Sequence, residues 1–176
     1  LTRALIWSSL WNATRDGEFD PRRYLAIVRT HGPAESHIGL LVGVQGNALF
    51  ALQHFLPAAE RAEAARIWVE CSGDALNASE PGSDAQLSWA RALAAASALD
   101  DSRRAQVRAL REDGAPEGLV VDPDLRWQLL TALVATGHAT AEDVASELET
   151  DDTGSGRTAA RRALASRPDE RVRAEA

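Results

Sequence analysis

The apolar positions of this chain recur at helical spacing. Leu5, Ile6, Trp7 and Leu10 form an amphipathic run in the opening segment. β-branched and aromatic residues never alternate with polar ones over five or more positions, so strand signals are almost absent. Ala, Leu, Arg and Glu dominate, and these are strong helix formers. Gly, Pro and Asp/Ser/Thr clusters divide the chain into ten predicted helical segments: 2–15, 20–31, 35–55, 57–77, 83–98, 101–113, 122–136, 140–149, 155–166 and 168–175.

Several of these boundaries have a mechanism. Asp20-Pro21 and Asp122-Pro123 each put a carboxylate at an N-cap and a proline at the first helical position, where its missing N–H costs nothing. Ser36 or Glu35 starts the third segment after the Gly32-Pro33 break, and Pro57 opens the fourth. Thr140 followed by Asp143 is the analogue of a capping box. Gly137 stands where a left-handed residue ends a helix.

Tryptophans mark a repeat. Thirteen positions after Trp7, Trp89 and Trp127 lie the expected caps Asp20, Ser102 and Thr140. Eight positions after those caps lie Val28, Leu110 and Leu148, expected to face inward. Gly17 and Gly137 both fall ten positions after a Trp. Each unit reads as a helix, a turn and an antiparallel second helix. One such hairpin cannot bury its own apolar stripe, whereas stacked hairpins bury a continuous core. The expected fold class is therefore all-α: stacked antiparallel hairpins in a HEAT/armadillo-like α-solenoid, or α-α superhelix, forming one domain over 1–176. The 38 residues from Trp89 to Trp127 are close to the ~40–47 of such repeats.

Composition narrows the function. Hydrophobic residues at 45% and charged residues at 26% are ordinary for a folded globular domain. A net charge of −7 argues against a nucleic-acid partner, which calls for a basic stripe. The paired arginines 22–23, 103–104 and 161–162 lie near acidic residues and read as solvated helix faces. The longest apolar stretch, Ile38 to Phe55, is broken by Gly39, Gly43, Gln45, Gly46, Asn47, Gln53 and His54, so no membrane span is expected. The single Cys71 makes no internal disulfide, and no signal peptide opens the chain. The expectation is a cytoplasmic protein. All nineteen basic residues are Arg, and Met is absent. A chain without Met that starts inside a helix reads as a piece of a longer one.

No catalytic constellation emerges. His31, His37, His54 and His138 make no HExxH and no i, i+4 pair, so no metal site is expected. His31 and His138 suit helix C-termini, where partial positive charge is favoured. Cys71 lacks a local His and reads as a buried structural thiol at the end of a helix. The segment 152–157, DTGSGR, lacks the strand, spacing and Lys of a phosphate loop. The acidic pairs 100–101 and 151–152 precede helices, where they serve as caps.

The order LTRALIWSSLW, PGSDAQLSWARALAAA, GLVVDPDLRWQLLTALVATG and ELETDDTGSGRTAARRALASRPDERVRAEA resembles the C-terminal helical domain of bacterial M1-family aminopeptidases. It is most similar to the actinobacterial aminopeptidase N type and, through it, to the endoplasmic-reticulum aminopeptidases. The segment Asp124-Leu125-Arg126-Trp127 carries most of the resemblance. The resemblance implies a C-terminal fragment of a zinc exopeptidase that removes N-terminal residues from peptides. Its HExxH and GxMEN motifs do not occur here, so no cofactor is expected in this fragment, and zinc belongs to the parent enzyme. The implied partners are the catalytic domain of the same polypeptide and the C-terminal end of a peptide substrate. In the family this domain is a curved stack that walls the substrate cavity and can offer basic residues to the peptide carboxylate. Arg91 and Arg126, each beside a marker Trp, are the candidates, because Arg forms charge-assisted bonds to carboxylates. Their competing reading is a surface Arg or one bonded to helix-end carbonyls. The alternative function is a freestanding helical-repeat scaffold that binds a partner protein.

Overall fold

Nine α-helices make up the described residues, 2–168, of this computed structural model. They are α1 Thr2–Arg15, α2 Pro21–His31, α3 Ile38–His54, α4 Ala58–Ala78, α5 Asp84–Ala96, α6 Arg104–Arg111, α7 Pro123–Ala135, α8 Ala141–Thr150 and α9 Gly154–Ala165. A short 3-10 turn, Gly32–Ala34, links α2 to α3. No strand occurs among the described residues, and no helix among them is long and apolar enough to cross a membrane. The fold is all-α. The expected helix at 168–175 lies, from residue 169 on, outside the described residues.

The helices pack in two layers. The odd-numbered ones form a row in which α3 contacts α1 and α5, and α7 contacts α5 and α9. The even-numbered ones lie against this row: α2 on α1 and α3, α4 on α3 and α5, α6 on α7, and α8 on α7 and α9. Side chains then tie the even helices to one another. Arg22 of α2 pairs with Glu60 of α4 at 2.7 Å. Arg103 bonds Glu70 and Asp74 of α4, and Arg111 of α6 bonds Glu147 of α8 at 2.9 Å.

Two cores sit between the layers. The larger runs from Tyr24 and Val28 through Leu41, Leu52, Trp68 and Trp89 to Leu125 and Leu133. The smaller holds Trp127, Leu130, Val134, Val144, Ala160 and Ala163. Helix α7 supplies residues to both, which is why its apolar positions run all round it. Trp89 and Trp127 are buried as expected, and Trp7 is partly buried.

Most expected caps are present. Asp20 accepts from Arg22 N at 2.8 Å, Asp122 from Leu125 N at 2.7 Å, and Thr140 with Asp143 closes a full capping box. Gly17 and Gly137 both adopt positive φ, 79° and 75°. Two marker positions differ. Ser102 does not cap α6: Arg103 holds that place without a side-chain cap bond, its guanidinium drawn across to α4. Leu148 is only half-buried, because α8 turns Val144 and Glu147 inward instead. Gly82 and Gly118 let two loops touch, since a Cβ on Gly118 would overlap the Pro81–Gly82 backbone.

Candidate functional site

The outer face of the odd-helix row carries two adjoining grooves. One, of about 430 Å³, lies between α3 and α5. The other, of about 330 Å³, runs across α5, α7 and α9. They share Ala95 and Gln128, so the depression is continuous across the row. Its cause is side-chain size: α5 turns Ser88, Ala92 and Ala95 outward at helical spacing, and α3 contributes Gly46. On the wall, Ser88 Oγ bonds Gln45 Oε1 at 2.6 Å, while Gln45 Nε2 is buried without a partner.

Arg91 lines the first groove with its side chain 41% exposed. Its Nη2 donates to Asp122 Oδ2 at 2.8 Å, and the other oxygen of the same carboxylate caps α7. A helix cap thus fixes the direction of the guanidinium. Its Nε is enclosed and without a partner.

Arg126 lies elsewhere, in a cluster that joins α6, α7 and α8. Its Nε and Nη2 form a fork on Glu147 at 2.8 and 2.9 Å, and Arg111 Nη2 reaches the same carboxylate at 2.9 Å. Burial pushes the Glu147 carboxyl up, but the two guanidiniums outweigh it and hold it below the usual carboxylate range. Bonding to Glu147 raises Arg126 in turn. The two candidate arginines therefore do not converge. Arg91 faces a groove, and Arg126 bridges α7 to α8 through Glu147.

The remaining candidates play structural parts. His31 ends α2, and His138, just beyond α7, meets Asp101 at 2.6 Å. His54 ends α3 against the Phe50 ring. Cys71 lies within α4 rather than at its end, half-buried, and burial pushes its thiol up. Asp100 bonds the Ser102 N–H, while Asp151 accepts from the Trp127 indole at 2.8 Å and from Thr153. The Trp127 bond has a counterpart at the other end, where Trp7 donates to Glu35 at 3.1 Å. Sequence reasoning missed both, although an acidic residue 28 or 24 positions after a marker Trp is a readable signal. Among the described residues no three His, Cys, Asp or Glu side chains converge on a metal position. A zinc ion does not fit them, and no hydrolytic step is assigned to them.

Helix α3 is unusual in its outward face. Gly39, Val42, Gly43, Gly46 and Phe50 are exposed there, Val42 by 54% and Phe50 by 47%. A Cβ on Gly43 or Gly46 would meet nothing within 4 Å. Each interior glycine costs a helix about 1 kcal/mol relative to Ala, and nothing in the described packing offsets that here. On α1, Leu5 and Ile6 are also exposed.

Comparison with known proteins connects this architecture to a family. The family model for the ERAP1-like C-terminal domain matches residues 1–176. The chain belongs to that family. It is also 39% identical to aminopeptidase N of Streptomyces lividans over 177 residues, which is all of this chain and 20% of the relative. The chain thus spans about a fifth of the length of the curated relative it matches. The Trp127 segment on which the sequence resemblance rested lies at the junction of the two cores of this ERAP1-like domain.

Proposed function

We propose that this chain is the C-terminal, cavity-forming domain of an M1-family zinc aminopeptidase. In this reading residues 1–176 form one domain of a longer polypeptide, stacked as a HEAT-like solenoid. The zinc and the hydrolytic chemistry belong to a catalytic domain in the same chain. The grooved outer face of the odd helices serves as cavity wall, limiting which peptides enter. Arg91 is the residue placed to meet a peptide's C-terminal carboxylate, with Asp122 orienting it. A guanidinium held by one carboxylate retains free donors for another. Arg126 is assigned to holding the domain together, since its Nε and Nη2 fork onto the buried Glu147 carboxylate that Arg111 also bonds.

The observation that carries the reading is the match over the whole chain to a relative named aminopeptidase N, of which it forms a fifth. The test uses the full-length polypeptide with Arg91→Ala. KM for peptides with a free C-terminal carboxylate is expected to rise severalfold, with no change for aminoacyl anilides or C-amidated peptides. Equal KM values for free and amidated peptides in both proteins remove Arg91 from the substrate path. Absence of chelator-sensitive aminopeptidase activity in the full-length protein removes the reading as a whole.

A further inference from the structure

A hollow of about 260 Å³ lies in the even-numbered layer, between α2 and α4. Both helices lean on α3, and side chains bridge them at two points. Arg22 forks onto Glu60 with two bonds of 2.7 Å. Farther along, the Cys71 thiol lies 4.0 Å from the Arg29 carbonyl oxygen. Between those points each helix turns an alanine to the gap, Ala26 and Ala64, and side chains that short leave it unfilled. The floor is apolar: Leu25, Ile67, and the buried Leu56 and Trp68. Such a floor, open to water, gains free energy from an apolar occupant.

Four charged side chains edge the hollow, and three of them are paired. Arg22 and Glu60 hold each other, and Arg66 forks onto both oxygens of Glu63 at 2.9 and 2.6 Å. The fourth, Arg29, is exposed and has no hydrogen-bond or salt-bridge partner for its guanidinium among the described residues. Glu70 and Asp74, which share a neighbouring hollow with it, are taken by Arg103. The unspent charge at the edge is therefore one guanidinium, a group whose donors match a carboxylate.

We infer that this hollow binds a small organic acid, its branched or aromatic body over Trp68 and its carboxylate on Arg29. Drug-sized ligands call for roughly 300–1,000 Å³, so the space admits a body about the size of one large side chain. Two sources share this chemistry: a free apolar amino acid and a simple carboxylic acid. They differ in the α-ammonium group. The site is separate from the Arg91 groove and does not depend on the reading of the chain as part of an aminopeptidase.

The test is saturation-transfer NMR on the full-length polypeptide, titrated with 4-methylpentanoate, 3-phenylpropanoate and L-leucine. Saturable binding of at least one is expected, and binding of none overturns the inference. Tighter binding of L-leucine than of 4-methylpentanoate identifies an amino acid as the ligand, and the reverse order identifies a simple acid. The neutral 4-methylpentanamide is expected to bind at least tenfold more weakly than the acid, and equal binding overturns the carboxylate contact. Arg29→Gln should weaken acid binding at least tenfold and leave the amide unaffected. Ala64→Leu, which fills the hollow, should abolish binding of both. Unchanged acid binding in either variant overturns the site. Loss of binding in Arg91→Ala also overturns it, because the ligand then sits in the other groove. Aminopeptidase activity is no part of this readout, so an inactive protein that binds the acid loses only the enzymatic reading.

Discussion

The two cores of this domain differ in how much apolar burial backs their polar bonds. The larger one, under α2 to α5, is an apolar interior with aromatic contacts: Trp68 and Trp89 lie 6.0 Å apart, and Trp11 stacks on Phe55 at 5.9 Å. The smaller one, under α7 to α9, buries six of the described residues. Polar bonds supplement it: the Arg126–Glu147–Arg111 cluster, the Trp127–Asp151 bond and the Thr140 capping box. A large core tolerates weak ends because burial dominates its stability. A small one depends on directional bonds, and those respond to pH and to loss of a single partner.

Mutations should divide along this line. The largest effect is expected from Trp89→Ala. The side chain is 1% exposed against Trp68, and its loss should cost about 3–5 kcal/mol, read as a fall in the denaturation midpoint. A smaller loss erases the proposed contrast.

Glu147→Ala comes next, at about 3 kcal/mol, the low end for a broken buried pair because Arg126 is partly solvated. This deficit should depend on pH. The folded pKa of Glu147 lies below its ordinary value. Its contribution is therefore complete above the unfolded value of ~4.3 and is lost as pH falls through the folded value. Melts of wild type and variant should converge in acid, whereas the Trp89→Ala deficit should not shrink. A pH-independent Glu147→Ala deficit contradicts the electrostatic account.

Thr140→Ala should have the smallest effect of the three, about 1 kcal/mol, from loss of one N-cap bond. Hydrogen exchange should place that loss in α8 and leave α2 to α5 unchanged. An equal change in α2 to α5 means the two cores unfold as one.

The helices and most of their ends were legible because caps act over two or three residues. Asp20, Asp122 and Thr140 declare themselves locally. Two of the three marker tryptophans, Trp89 and Trp127, turned out to be buried, but the helix pairing expected after Trp89 did not form: α6 packs on α7 rather than on α5. What escaped was pairing across distance. Leu148 was expected inside from its place eight positions after Thr140, but Arg126 and Arg111 make it favourable to bury Glu147 instead. Ser102 looked like a cap until Arg103 reached across to Glu70. The groove was equally hidden, because it consists of the small residues of α5 seen from outside. Arg91 was singled out for its place beside Trp89, and its partner Asp122, 31 residues away, left no trace in local spacing.

The two-layer row also governs how the chain comes apart. Each helix leans on near neighbours in sequence, and even the Ser88–Gln45 bond spans only 43 residues. Such an array has no single keystone. Pulled from the α9 end, it should peel helix by helix, with the force rising once the frayed tip reaches Trp89. Made on a ribosome, each helix can dock onto those already finished while the next is still being synthesised.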